Sequence, residues 1–161
     1  MYTGIQTMEL EISPIKPSDV NKALELVSEA AMGEMGFPLE ALCHYRDIIV
    51  NVLNGQSKGH LFLGCKKNED LIGLLICLPP EGGVATILWL VVAPKYKGQG
   101  IGTQLFNMAC QWAKDNGCHK IKLTASTTTA VHFYEKQGMK VEGSHRDHWW
   151  HLDFWSLGKF L

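Results

Sequence analysis

Of the 161 residues, 46% are apolar and 19% charged, with a formal net charge of −1, a balance that suits one domain with a real core and excludes a disordered or fibrous chain. Near-neutral charge without a basic stripe argues against a nucleic-acid partner. The five cysteines, Cys43, Cys65, Cys77, Cys110 and Cys118, are odd in number, scattered and without a C-x-x-C pair, so they read as reduced thiols rather than a disulfide framework or metal site.

Met8 to Ile15 alternates apolar and polar residues, the period-two pattern of a half-buried strand, closed by Pro14 and Pro17. A helix follows, with Ser18 as its cap and Val20, Leu24, Val27 and Ala31 on one face. Gly33 and Gly36 end it. Pro38 opens a second helix with the stripe Leu39, Leu42, Ile49, Val52 and Leu53. His60 to Lys66 and Asp70 to Leu78 read as strands of a hairpin, Pro79 to Gly83 as a turn, and Ala85 to Ala93 as a central strand covered on both faces. Ile101, Leu105, Met108, Ala109 and Trp112 mark a third helix, stopped by Asn116-Gly117. His119 to Ala125 alternates as a strand, and Ser126 to Thr129 can cap a short helix over Ala130 to Gln137. Met139 to Glu142 and Trp149 to Phe160 supply two last strands around the polar segment Gly143 to His148. The order is β-α-α-β-β-β-α-β-α-β-β, an α+β domain on a mixed, mostly antiparallel sheet, expected to fill residues 1–161 as one unit. No basic-then-apolar leader opens the chain and no apolar run nears ~18 residues, so a soluble cytoplasmic protein is expected.

The segment Leu88 to Thr103 ends an apolar strand in Val92-Ala93-Pro94 and continues through Lys97-Gly98-Gln99-Gly100-Ile101-Gly102 into a helix. Glycines before a helix N-terminus expose backbone N–H groups at the positive end of the helix dipole, which is an anion cradle. The phosphate-loop pattern fails because no lysine precedes Thr103, and the dinucleotide fingerprint fails on its third glycine.

The same residues resemble the acetyl-CoA signature of the GNAT (Gcn5-related N-acetyltransferase) superfamily, Val-x-Pro followed by Arg/Gln-x-x-Gly-x-Gly/Ala, with Lys97 in place of the usual first residue. Thr127-Thr-Thr-Ala130-Val-His-Phe133-Tyr134-Glu-Lys136-Gln-Gly138-Met139 resembles the family's Asn-x-x-Ala-x-x-Phe/Leu-Tyr helix, with Thr127 in place of the asparagine that often meets the pantetheine arm. The resemblance implies an N-acetyltransferase moving the acetyl group of acetyl-CoA to a small-molecule, peptide or protein amine by direct attack in a ternary complex. A non-catalytic CoA-thioester-binding sensor of the same fold is the alternative. It further implies that Val91, Val92, Lys97, Gly98, Gln99, Gly100, Ile101, Gly102 and Thr103 surround the cofactor together with Thr127, Ala130, Phe133 and Tyr134. The backbone N–H of Val92 would meet the thioester or pantetheine, those of Lys97, Gln99, Gly100, Ile101 and Gly102 the pyrophosphate. Tyr134 matches the tyrosine that protonates the leaving thiolate. The central strand carries no carboxylate, so Glu34 or a histidine acting through water is the candidate base.

His145, His148 and His151 recur every third residue, a spacing that fits neither a strand face nor a zinc helix, and no metal is expected. Lys114, Lys120 and Lys122 read as a solvated face or as contacts to the 3′-phosphate. Met32 to Phe37 and Gly143 to Trp150 are the loops expected to choose the acceptor, and the aromatic C-terminal strands are expected to serve as core or as a homodimer seam.

Overall fold

The computed structural model describes residues 10–55 and 58–161. Seven strands and four α-helices follow the expected order: β1 Leu10–Pro14, α1 Val20–Met32, α2 Leu39–Leu53, β2 Leu61–Lys67, β3 Asp70–Glu81, β4 Val84–Val92, α3 Ile101–Asp115, β5 Lys120–Ala125, α4 Thr128–Lys136, β6 Lys140–His145 and β7 Phe154–Phe160. One sheet runs β1-β2-β3-β4-β5-β7-β6, antiparallel everywhere except between β4 and β5. Buried residues form two clusters on its opposite faces. Leu26, Val27 and Ile49 of α1 and α2 cover one, and Ile101, Leu105 and Phe106 of α3 with Val131 and Tyr134 of α4 cover the other.

Several boundaries differ from the sequence reading, each for a local reason. Met8 and Glu9 lie outside the described residues. Ser18 does not cap α1: Pro17–Asp19 winds a 3₁₀ turn, and Asp19 takes the cap position. Its carboxylate accepts from the Lys16 N–H at 3.3 Å and from Lys66 Nζ on β2 at 3.0 Å. Leu39 starts α2 but is exposed; the buried face is Ala41, Ile49 and Leu53. Met108 is likewise on the outer side of α3. Pro79 and Pro80 stay within β3 because the β3–β4 register skips from Leu78 to Glu81, so neither missing N–H leaves a gap in the ladder. The turn is Gly82-Gly83 alone, with φ of 59° and 78°, the doubly left-handed geometry that matches strand twist in a two-residue hairpin. Thr127, rather than the segment as a whole, caps α4, accepting from the Ala130 N–H at 3.1 Å, so α4 begins at Thr128. β6 runs on to His145, and Trp149–His151 forms a 3₁₀ turn before β7 begins at Phe154.

Two irregularities in β4 shape the centre of the sheet. Cys77 pairs with Ile87 but Ile76 pairs with Trp89, so Leu88 is an extra residue, a β-bulge. Before it Ala85 and Ile87 face α3 and α4; after it Trp89 and Val91 face α1 and α2, while Leu90 and Val92 face α3 and α4. The bulge resets which side chains reach which face. Secondly, β4 and β5 pair only over Val84–Thr86 and Lys120–Lys122, after which they part. Among the described residues, no helix is long and apolar enough to cross a membrane.

Candidate active site

Where β4 and β5 separate, the sheet opens into a notch of about 900 Å³ that passes from one face to the other. β4 keeps β3 on its far side, and the alternation of its ladder fixes which groups turn into the gap. The Ala93 N–H donates to the Ile72 carbonyl at 2.8 Å. Bonded and non-bonded pairs alternate along an antiparallel ladder, so Val92, opposite Gly73, is in a non-bonded pair with its N–H and carbonyl turned into the notch. Val91, opposite Leu74, spends its backbone on β3 and offers only its side chain.

Below Val92 the chain makes the 3₁₀ turn Pro94–Tyr96 and enters the glycine segment. Gly98 and Gly100 have φ of 79° and 82°, and a Cβ on either would meet nothing within 4 Å. The space in front of them is open. Gly100 is the α3 N-cap and has no side chain to cap with, and the first helical bond runs from the Gln104 N–H to the Gly100 carbonyl at 3.0 Å. The N–H groups of Ile101, Gly102 and Thr103 therefore point unclaimed from the positive end of a 15-residue helix. Gly102 serves packing instead: a Cβ there would sit 3.1 Å from the Phe133 ring, so glycine lets α3 and α4 close up. Gln137 Nε2 donates to Thr103 Oγ1 at 3.2 Å and ties the same two helices.

The Lys97 N–H, expected to meet the pyrophosphate, donates to the Pro94 carbonyl at 3.3 Å and closes the 3₁₀ turn. Its ammonium instead meets the Glu34 carboxylate at 2.5 Å, across the mouth of the notch. Gln99 is exposed and stands outside the wall, whereas Val91, Val92, Lys97, Gly98, Gly100, Ile101, Gly102, Thr103, Thr127, Ala130, Phe133 and Tyr134 all line it. The Thr127 hydroxyl is committed to the α4 cap.

Tyr134 packs against Phe106 and Phe133, with ring centroids 6.1 and 5.1 Å away. Burial pushes its hydroxyl well above the ordinary tyrosine value, and the neighbouring Cys77 thiol adds to this. Cys77 is itself pushed up to about 12 by burial, helped by Cys110. Both protons are held firmly at neutral pH.

The opposite mouth is aromatic. Phe37 lies 6.0 Å from Trp89, 6.1 Å from Tyr45 and 6.2 Å from Phe154, and Phe154 lies 5.2 Å from Trp149. Burial raises the Tyr45 hydroxyl, with the Trp150 indole beside it working the other way. The sequence order of these rings gave no sign that they would meet, because the bulge at Leu88 is what turns Trp89 to this side. Both loops expected to choose the acceptor arrive here, through Met35 and Phe37 and through Trp149. The second is held in an uncommon backbone: Asp147, Trp150 and His151 have φ of 46°, 59° and 59°. Two of the three histidines meet and the third turns away. His145 shares a 2.8 Å hydrogen bond with Ser156, His148 stacks on His145 and lies tilted against Trp149, and His151 meets Asp147 at 2.9 Å. Lys120 and Lys122 reach the notch wall; Lys114 does not.

Residues 25–139 match the family model described as "Acetyltransferase (GNAT) family". The glucosamine 6-phosphate N-acetyltransferase of Trypanosoma brucei brucei is 37% identical over 144 residues, covering 83% of this chain and 91% of that protein. The uncharacterized N-acetyltransferase YobR of Bacillus subtilis is 29% identical over 82 residues, half of this chain, and the match spans only 32% of that longer protein. Among solved structures, the PaiA N-acetyltransferase of Thermoplasma acidophilum in complex with coenzyme A shares the fold with a TM-score of 0.77 at 23% identity, over 96% of this chain and all of that one. A family model spanning most of the chain, and a relative matched over most of both lengths, show that this chain belongs to the GNAT family of acetyltransferases.

Proposed function

We propose that the chain transfers the acetyl group of acetyl-CoA to a primary amine by direct attack in a ternary complex. The observation that carries this is the notch itself: a gap through the sheet with unclaimed N–H groups of α3 at one mouth and a free Val92 N–H inside. The pyrophosphate fits against Gly98 to Thr103, the pantetheine arm takes the place β5 leaves beside β4, and the thioester carbonyl comes within reach of Val92. The acceptor enters from the aromatic mouth.

In the reaction a nitrogen–carbon bond forms, the carbon–sulfur bond breaks, the amine gives up one proton and the thiolate gains one. Positioning and a fixed N–H dipole supply most of the acceleration, since no activated nucleophile stands in the notch among the described residues. Tyr134 donates to the departing sulfur. A hydroxyl raised by burial is a poor acid toward a thiolate in water, whose conjugate acid has a pKa near ~8.5. A site that excludes water raises the proton affinity of the thiolate as well, which narrows the gap between donor and acceptor. Glu34, the candidate base, has one carboxylate oxygen on Lys97 and can take a proton through water on the other. Glu34→Gln is expected to lower kcat less than tenfold; a fall of a thousandfold would make Glu34 the principal base.

Cytoplasmic location and pairing of two copies belong to the same reading. β6 is the edge strand on the C-terminal side of the sheet and carries exposed Val141, with Phe160 of β7 also exposed, so a second copy would add along this edge. Equilibrium sedimentation at the mass of two chains supports that pairing.

The test of function is release of free thiol from acetyl-CoA with a panel of polyamines, amino acids, aminoglycosides, peptides, arylalkylamines and glucosamine 6-phosphate, the last because of the trypanosomal relative. Thiol release with at least one amine, and product mass raised by one acetyl group, is expected. Silence with every amine, while acetyl-CoA still raises Tm, would leave a CoA-binding module instead.

A further inference from the structure

One ion pair ties the two mouths of the notch together. Lys97 ends the turn that leads from β4 into α3, directly before Gly98, and Glu34 lies in the turn between α1 and α2, 63 residues earlier in the chain. Their charged groups meet at 2.5 Å, and both residues line the notch. Because the Lys97 N–H is spent on the Pro94 carbonyl, the ammonium is the donor this residue has left to offer.

The backbones at both ends are fixed and the side chains are not. Around Glu34 the Gly33 N–H donates to the Glu29 carbonyl at 3.0 Å, that of Met35 to Ala30 at 3.3 Å and that of Phe37 to Ala31 at 2.8 Å. The side chains are 61% exposed at Glu34 and 44% at Lys97, so either can swing without disturbing a helix or strand. No second lysine shares the role. Lys95 of the same turn and Lys67 of β2 lie over the Tyr96 ring, 5.8 and 5.1 Å from its centroid, and among the described residues Lys97 is the one cation paired with Glu34. An exposed pair of this kind is weak in water and gives way to a better partner. A pyrophosphate is that partner, since it carries more charge than one carboxylate and the unclaimed N–H groups of α3 already face it.

Resting on the acetyl-CoA reading above, we propose that Lys97 and Glu34 form an interlock between the donor and acceptor mouths. In the free protein Glu34 occupies the Lys97 ammonium, and the pyrophosphate of acetyl-CoA displaces it. Glu34 therefore competes with the cofactor for one cation. Once displaced, it stands as an unpaired carboxylate in the turn where the acceptor enters, so bound cofactor increases the attraction of that mouth for an ammonium ion. By linkage, a cation held there tightens acetyl-CoA in return.

The test is calorimetric titration of CoA at low ionic strength, where exposed charges are least screened, into the wild type, Glu34→Gln, Lys97→Met and the double variant. All the substitutions are at the surface, and circular dichroism checks that the fold is kept. Glu34→Gln is expected to bind CoA about two- to fivefold more tightly and Lys97→Met about threefold or more weakly, the scale of one exposed ion pair. In the Lys97→Met background the gain from Glu34→Gln should vanish. A gain that persists there is general charge repulsion and overturns the interlock, as does equal affinity in Glu34→Gln and the wild type. CoA lacking its 3′-phosphate should show the same gain; loss of the gain with that ligand puts Lys97 on the 3′-phosphate and overturns the exchange with pyrophosphate. If the wild type binds no CoA, the acetyl-CoA reading fails and the interlock with it, whereas binding without the gain overturns the interlock alone.

Discussion

At the scale of single residues, the proposed site rests on a few backbone atoms left unengaged. Val92 faces the notch because it falls on the non-bonded step of its ladder, and one residue either way would return its N–H to β3. Tyr134 is held protonated by burial, so its ionisation should not appear in the pH dependence of turnover between about pH 6 and 9. Tyr134→Phe is expected to lower kcat by about 10²-fold or more with KM for acetyl-CoA nearly unchanged, because a proton donated in the transition state contributes that much and adds little to ground-state binding. Steady-state kinetics under conditions where chemistry limits turnover check this, and an unchanged kcat would remove the residue from the mechanism. Lys97 shows what a motif conceals: its backbone closes a turn and its side chain crosses to Glu34, neither of which its place in the pattern indicates.

At the scale of elements, the Asp19 and Lys66 pair joins the start of α1 to β2. Burial alone would raise the Asp19 carboxyl, but the hydrogen bonds from Lys66 and from the Lys16 N–H, with the charges of Lys66 and Lys22, outweigh it and hold the group below its ordinary value of 3.8. A lowered folded value means that this contribution is present above pH 3.8 and is lost as pH falls through the folded value. Asp19→Asn is expected to cost about 1–3 kcal/mol at neutral pH, the range for a hydrogen bond to a charged group, and to flatten the acid limb of a urea-midpoint profile. The elements themselves were legible from period and punctuation. Alternation marked β5, the apolar stripe marked α3, and three glycines marked the turn that enters α3. The features that stayed hidden depend on pairing between distant segments. Ala85 to Ala93 is apolar at every position but Thr86, so nothing in its pattern reveals that Leu88 is bulged or that Trp89 changes face. Pro79-Pro80 looks like a turn until the register shows that β4 asks nothing of those two N–H positions. Ser18 and Asp19 are both good caps, and only Lys66, 47 residues on, favours the carboxylate.

At the scale of the molecule, the sheet is divided into two parts held together by a short parallel pairing, and the proposal seats acetyl-CoA in that division. Three pairs join β4 to β5, whereas β3 and β4 pair along most of their length. Several buried groups resist ionisation: Cys77 at about 12 against 9.0 for an ordinary thiol, with Tyr134, Cys65 and Cys110 raised by burial too. Raised folded values leave stability intact below the unfolded values and erode it as pH climbs from 9.0 toward 12, because the unfolded chain then releases protons that the folded chain keeps. Thermal midpoints are therefore expected to fall steadily above about pH 9, with a shallower slope in Cys77→Ala even though that variant is less stable at neutral pH. An identical slope in the variant would contradict the assignment.

Calorimetric titration of acetyl-CoA into the wild type and into Gly100→Glu tests the β4/β5 notch as the seat of acetyl-CoA most directly. Gly100 sits at a left-handed position with open space before it, so a glutamate there fills the anion site with a carboxylate at the surface. One-to-one binding by the wild type, and loss of at least a hundredfold in affinity with an unchanged circular-dichroism spectrum in Gly100→Glu, is the predicted result. Equal affinity in the two folded proteins would contradict it.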